Sequence, residues 1–253
     1  MSYIDWFAAS DIYAGTTLRD NACPQNNNMS LKNSNDPEAV VANRKALMKE
    51  LNFDLDHCVF AHQTHSNHIQ KITKDDLGKG AYHDEDAISD CDGLYTRERN
   101  ILLGVFSADC VPILIWDKEQ HIIAAIHAGW RGTVSEITKK MLNTLIYEED
   151  CNPNELYCYI GPAIDFFSFE VDQDVVDEVK KMSFPTDKFY MPKADGKYLV
   201  DNKRLNMQMM LDAGIPDLNI FMHDGDTFTN EEDYFSYRRD AKNHCHLTFI
   251  LQK

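Results

Sequence analysis

Three apolar runs of strand length, "ILLGVF" (101–106), "VPILIW" (111–116) and "HIIAAIH" (121–127), follow one another with only short breaks. Runs this apolar over so few residues read as buried strands, so the chain has to build a sheet whose interior they occupy. Around them the period changes. Asp36 followed by Pro37 is a helix start, an N-cap with proline at the first helical position. Val40, Val41, Leu47, Met48 and Leu51 then share one face of a helix running to about Leu51. A second amphipathic helix is predicted from Thr133 to about Glu148, with Val134, Ile137, Met141, Leu145 and Ile146 facing inward. Further helical patterns follow Asp172 and Asp201. "HCVFAHQTH", "HIQKI", "LYCYIG", "LNIFMH" and "CHLTFIL" supply more strands, and residues 20–38 are the most loop-like stretch. Strands and helices interleave without strict alternation, and no repeat, low-complexity block or linker divides the chain. The expectation is a mixed α/β fold, its sheet not purely parallel, in a single compact domain over residues 1–253.

Charge and cysteine usage narrow the function classes. With 25 basic and 41 acidic residues the formal charge is −16, a field that repels a polyphosphate backbone and disfavours nucleic-acid binding. No window approaches about 18 uninterrupted apolar residues, so no membrane-spanning helix is expected. The N-terminus lacks the basic region and apolar core of a secretory signal. Seven scattered cysteines, an odd number without a C-x-x-C pair, suit thiols in a reducing, cytoplasmic setting. Cys58 and Cys158 are expected to be small buried hydrophobes.

The polar ends of the apolar runs carry the chemistry. In "FSADCVPIL", Asp109 and Cys110 stand where a strand begins; in "IIAAIHAGWRGT", His127 stands where one ends. Gly129 and Gly132 let the backbone approach a ligand closely, a helix is expected to begin near Gly132, and Arg131 offers a fork to phosphate or carboxylate. Cys110 and His127 converge if the two strands are neighbours or reach the same rim. A third donor has candidates in "AHQTHSNHI", namely His62, His65 and His68, among which spacing does not choose. Ligands of types His, Cys and His leave one position of a tetrahedral zinc open to water or substrate.

At these residues the chain resembles the laccase-domain, or multicopper polyphenol oxidase, family, whose members are now mostly described as purine nucleoside phosphorylases. The blocks "TTLRD", "NDPEAVVANRKAL", "HQTH", "CDGLYT", "FSADCVPIL", "IAAIHAGWRGT", "YIGPAI" and "FSYRRD" match in order, from about Thr16 to Arg239. The resemblance implies one α/β unit and a metal, usually zinc, held by His65, Cys110 and His127. It implies phosphorolysis of adenosine, inosine and methylthioadenosine, with adenosine deamination as a further activity, a transferase and hydrolase in one. Cys110, His127 and Asp109 are then the catalytic candidates. Arg131, Gly129, Gly132 and Arg19 are the candidates for holding substrate and phosphate. Two departures stand out: "LRDNACPQ" replaces a Gly-Gly turn, and Asp226-Thr227 replaces a Cys-Thr pair. Both loops, 19–26 and 224–228, are candidates to border the pocket.

Two other activities compete. A cysteine hydrolase editing cell-wall precursors would use Cys110 as nucleophile and His127 as base, with no need of His65. A copper-dependent polyphenol oxidase needs repeated His-x-His pairs, and the chain has one, His244 and His246, expected in a surface turn. A full copper cluster is therefore not expected, although copper can enter adventitiously.

Overall fold

The apolar runs become strands because each has a packing layer on both faces. The computed structural model describes residues 2–9, 11–32, 34–242 and 244–253. The chain opens with β1 (Tyr3–Ala9) and β2 (Ile12–Thr17), then helix α1 (Pro37–Glu50), β3 (Cys58–Phe60) and β4 (Ile69–Lys71). Next come β5 (Gly93–Thr96), β6 (Ile101–Ser107), β7 (Val111–Asp117) and β8 (Ile122–Ala128). Helices α2 (Trp130–Val134) and α3 (Ile137–Asn143) lead to β9 (Leu156–Ile160). β10 (Glu170–Val171), α4 (Gln173–Val179), β11 (Tyr190–Pro192), β12 (Tyr198–Val200) and α5 (Asn202–Asp212) follow. β13 (Ile220–Met222), α6 (Tyr237–Asp240) and β14 (His246–Gln252) complete the order.

Two large sheets face each other. One has the order β1-β2-β14-β6-β3 and the other β13-β9-β7-β8-β5-β4, while β10-β12-β11 forms a small third sheet. Each large sheet mixes directions: β3 with β6, β4 with β5 and β9 with β13 run parallel, and the other pairs run antiparallel. The mixed α/β expectation therefore holds.

Side chains alternate between faces with a period of two. Leu103 and Val105 of β6 meet Leu114 and Trp116 of β7 and Ile123 and Ala125 of β8 between the sheets. Val111, Ile113, Ile115 and Ile126 point the other way, onto Met141, Leu145 and Met210 of the helical layer. Leu102, Phe249 and Leu251 pack on Leu47 and Met48 of α1. The result is helix, sheet, sheet, helix, with β7 and β8 buried on both faces and β6 buried except at Phe106.

α1 starts as the sequence predicts, with the Asp36 side chain accepting from the Ala39 N–H and Pro37 in the first turn. The second predicted helix is broken. α2 begins already at Trp130, Glu136 turns left-handed (φ 56°), α3 follows, and Thr144–Glu148 widens into a π turn. The break has partners: Asn67 donates to the Ser135 carbonyl, and Glu136 accepts from the Ser183 N–H and from Lys139. It lets α2 lean on the 65–68 loop while α3 keeps Ile137 and Met141, and the π turn Leu145, on the sheet. The sequence marks no strand in residues 3–17, which pair as β1 and β2.

His246 departs most from expectation. Instead of a surface turn it opens β14 with 1% of its surface exposed. Its Nδ1 donates to the Thr17 carbonyl at 2.6 Å and its Nε2 accepts the Phe235 N–H at 2.8 Å, so the ring is neutral and fully occupied. Burial lowers its pKa to about 4. Because the unfolded imidazole titrates near 6.5, the unfolded chain binds the extra proton between these values. Stability from this group is complete above about pH 6.5 and is lost as pH falls toward about 4, by roughly 3 kcal/mol in all. Urea unfolding at pH 7 and at pH 4.5 should show this loss, and H246Q should show a shallower pH dependence; parallel dependences would contradict the assignment.

Candidate metal centre

The β7–β8 hairpin turns sequence distance into contact. Its antiparallel register sets Pro112 opposite His127 and Val111 opposite Ala128. Cys110, just before β7, and His127, near the end of β8, therefore share one rim. β3 lies in one large sheet and β4 in the other, so the connection between them has to cross that rim, and His65 rides on it. His65 is left-handed (φ 63°), and its ring, though exposed, meets Cys110 and His127.

A buried carboxylate holds the turn. Asp92, fully buried just before β5, takes the N–H groups of Thr64 (3.1 Å), His65 (3.1 Å) and Ser66 (2.8 Å) and the Ser66 hydroxyl (2.8 Å). Its Oδ1 also accepts from His127 Nδ1 at 2.8 Å, and its carbonyl accepts the His127 N–H. The Nε2 of His127 is thereby left as the free donor atom. Carboxylate–histidine pairs of this kind fix the tautomer and aim of a metal-binding imidazole.

The candidate donor atoms of His65, Cys110 and His127 all lie within 4.8 Å of one another. Cys110 Sγ is 3.8 Å from His65 Nε2, and the two imidazole rings meet edge to face at 4.9 Å. Burial by itself would push the Cys110 thiol up, but His127 and His65 outweigh it and bring the pKa down to about 6. Burial likewise disfavours a charged His127, yet Cys110 and Asp92 raise it to about 9. For Asp92, His127 and the loop N–H groups overcome burial and hold the carboxyl at about 2. Gly129 closes the cradle: a Cβ there would stand 2.6 Å from His65 Cδ2 and 3.2 Å from Cys110 Sγ. Two imidazoles and a thiolate in a space that admits no further methyl suit an ion taking N and S donors, with one tetrahedral position open. Among the described residues no other cluster of metal-ligating side chains occurs.

The three donors open into a cavity of about 490 Å³. Its lining gathers Lys32, Arg131, Arg238 and Lys242, a local excess of positive charge in a chain of net charge −16. Phe106, Trp130, Phe169 and Tyr237 add aromatic faces, and the Arg131 guanidinium lies 4.2 Å from the Trp130 ring centroid. Gln63 fastens the histidine loop to β6, its amide donating to the Phe106 carbonyl and accepting the Phe106 N–H.

Not every anticipated residue reaches this cavity. Asp109 lines it, but Oδ1 accepts the Thr227 hydroxyl and Oδ2 the Arg238 N–H. Gly132 lies against the Ser66 carbonyl, letting α2 approach the histidine loop. Arg19 is outside the lining, its guanidinium donating to the Glu231 carbonyl, and no residue of loops 19–26 or 224–228 lines the cavity. His62 pairs with Asp84 and His68 with Asp90, which separates both from the cluster. Asp92, Gln63, Lys32 and Arg238 were not singled out in the sequence. Asp92 carried a signal in "CDGLYT", an acid directly before a glycine that leads a buried strand.

The family model for multi-copper polyphenol oxidoreductase laccase matches residues 15–251. Purine nucleoside phosphorylase YlmD of Bacillus subtilis (strain 168) is 35% identical over 248 residues, covering 96% of this chain and 89% of that protein. The protein of the same name from Geobacillus stearothermophilus is 37% identical over 214 residues, covering 84% of this chain and 78% of its own. The crystal structure of YlmD from Geobacillus stearothermophilus superposes with a TM-score of 0.94 at 33% identity, covering 100% of this chain and 97% of that one. That of the Bacillus licheniformis hypothetical protein YfiH gives 0.92 at 33% identity, covering 96% and 93%. Matched over nearly its whole length in sequence and in fold, the chain belongs to the multi-copper polyphenol oxidoreductase laccase family.

Proposed function

We propose that this protein is a zinc-dependent, cytoplasmic purine nucleoside phosphorylase that splits adenosine, inosine and methylthioadenosine into free base and a ribose 1-phosphate type product. Adenosine deamination is its second activity. The observation that carries the proposal is the joining, in one cavity of small-molecule size, of three N/S donors and Arg131, which has no carboxylate partner among the described residues. The names of the relatives from Bacillus and Geobacillus support it.

In phosphorolysis an anion must be held beside a sugar carbon that becomes cation-like while the base departs. Arg131 supplies a charged fork for phosphate, kept in place by Trp130. The missing Cβ at Gly129, which lies outside the cavity lining, makes room for the His65 and Cys110 side chains and not for substrate. Asp92 keeps the His127 ring from turning. Asp109, with both oxygens engaged, acts as a partner to its neighbours. An ion held by His65, Cys110 and His127 would supply Lewis acidity near neutral pH, for phosphorolysis and for deamination alike. Copper competes for the same donors. A four-copper oxidase finds no second histidine cluster among the described residues, and His246 has no nitrogen to spare.

Incubating the pure protein with adenosine, with and without phosphate, should yield ribose 1-phosphate and inosine respectively; no turnover under either condition rejects the proposal. C110S should lose bound zinc and slow turnover by on the order of a hundredfold or more, beyond the range for outer metal partners.

One observation favours a second activity. Cys110, His127 and Asp92 stand in the order of a nucleophile, a base and its orienting acid, with the thiol lowered to about 6 and the imidazole raised to about 9. That arrangement would serve an amidase acting on cell-wall precursors. It has no use for His65, so amide hydrolysis surviving both chelation and H65A would establish it.

A further inference from the structure

The "YRRD" helix carries two adjacent arginines with opposite fates. Arg239 spends its guanidinium on structure, donating to the carbonyls of Thr227, Phe228 and Tyr234. Arg238 sends its guanidinium into the cavity, over the Phe169 ring at 5.6 Å, and among the described residues no carboxylate lies within ion-pair distance of it. Its main chain is fastened to the residue beside a metal donor, since its N–H donates to Asp109 Oδ2 at 2.7 Å. Asp109 is itself held at three points. Its Oδ1 accepts the Thr227 hydroxyl at 2.7 Å, its Oδ2 holds Arg238, and its carbonyl accepts the Ile164 N–H at 3.0 Å. These contacts hold it at φ 92°, a conformation an L-residue keeps only when its surroundings over-determine it. Cys110, just before β7, and the helix that carries Arg238 are therefore tied together through Asp109.

We propose that Arg238 grips the oxygens of the attacking phosphate, and that Asp109 is a positioning residue setting Arg238 relative to Cys110. The proposal rests on the phosphorolysis reading for the identity of the anion. A guanidinium backed by an aromatic ring and free of competing carboxylates suits a tetrahedral oxyanion, which it can meet with two parallel N–H groups. An asparagine at 109 can keep both contacts, its NH2 donating to the Thr227 hydroxyl and its oxygen accepting the Arg238 N–H, whereas an alanine removes both.

The test measures binding of inorganic phosphate to metal-replete protein by calorimetry, together with phosphate KM and kcat in adenosine phosphorolysis. R238A should weaken phosphate by about ten- to hundredfold, with metal content and nucleoside KM near wild type. R238K should restore part of the loss, because an ammonium returns the charge without the fork. D109A should weaken phosphate, D109N should keep most of the affinity, and combining D109A with R238A should add little further. Unchanged phosphate affinity in R238A, or wild-type protein that binds no phosphate, overturns the proposal; additive effects overturn the role of Asp109. Arg238-dependent phosphate binding without nucleoside turnover upholds Arg238 and rejects phosphorolysis. Turnover with a phosphate KM indifferent to Arg238 does the reverse.

Discussion

Replacing Gly129 with alanine is expected to strip the protein of its metal and its turnover while leaving the fold in place. The backbone at Gly129 is extended (φ −64°, ψ 165°), a conformation alanine adopts without strain. The added methyl, however, would sit 2.6 Å from His65 Cδ2 and 3.2 Å from Cys110 Sγ. Neither neighbour can yield cheaply. Cys110 is fixed by the start of β7, and His65 by a left-handed turn whose flanking N–H groups are all committed to Asp92. The imidazole has to swing out, which opens the donor triangle. A displacement of about 1 Å at reacting groups costs on the order of a hundredfold in rate, so a loss of that size or more is expected. Metal analysis and thermal unfolding of G129A, compared with wild type, check the claim. Full metal content with full turnover would contradict it, and so would global unfolding.

Asp92 should show the other large effect, on stability as much as on metal affinity. Its two oxygens only accept: Oδ1 takes His65 N–H and His127 Nδ1–H, and Oδ2 takes the N–H groups of Thr64 and Ser66 and the Ser66 hydroxyl. In D92N the amide would aim its NH2 at donors whichever way it flipped, at a fully buried position. Removing one partner from a buried charged network costs about 3–5 kcal/mol. The released His127 ring should also weaken metal binding by about ten- to a hundredfold, the range for orienting partners. Urea unfolding with and without metal separates the two effects. A D92N protein of wild-type stability that kept its metal affinity would refute this account of the turn.

Parts of the molecule that depend on near neighbours were legible without coordinates. The Asp36–Pro37 helix start, the buried runs and the two helices after Asp172 and Asp201 lie where local rules place them. So does the burial of Cys58 and Cys158. The second predicted helix was legible in its inward face but not in its break, because nothing near Glu136 in sequence announces Asn67 and Ser183 as partners. The residue types of the site were visible as polar ends of apolar strands. Family resemblance, not spacing, singled out His65 from His62 and His68.

Residue identities and periodicity were sufficient for the mixed α/β class and for the thiol and imidazole as chemical candidates. Folding alone brought Asp92 under the histidine loop, left Arg238 rather than Arg19 in the cavity, and buried His246 where a surface turn was expected. The physical reason is that both a donor set and a burial pattern are matters of distance. Those distances come from the β7–β8 register and from the crossing between two sheets, and both are settled by packing between residues far apart in the chain.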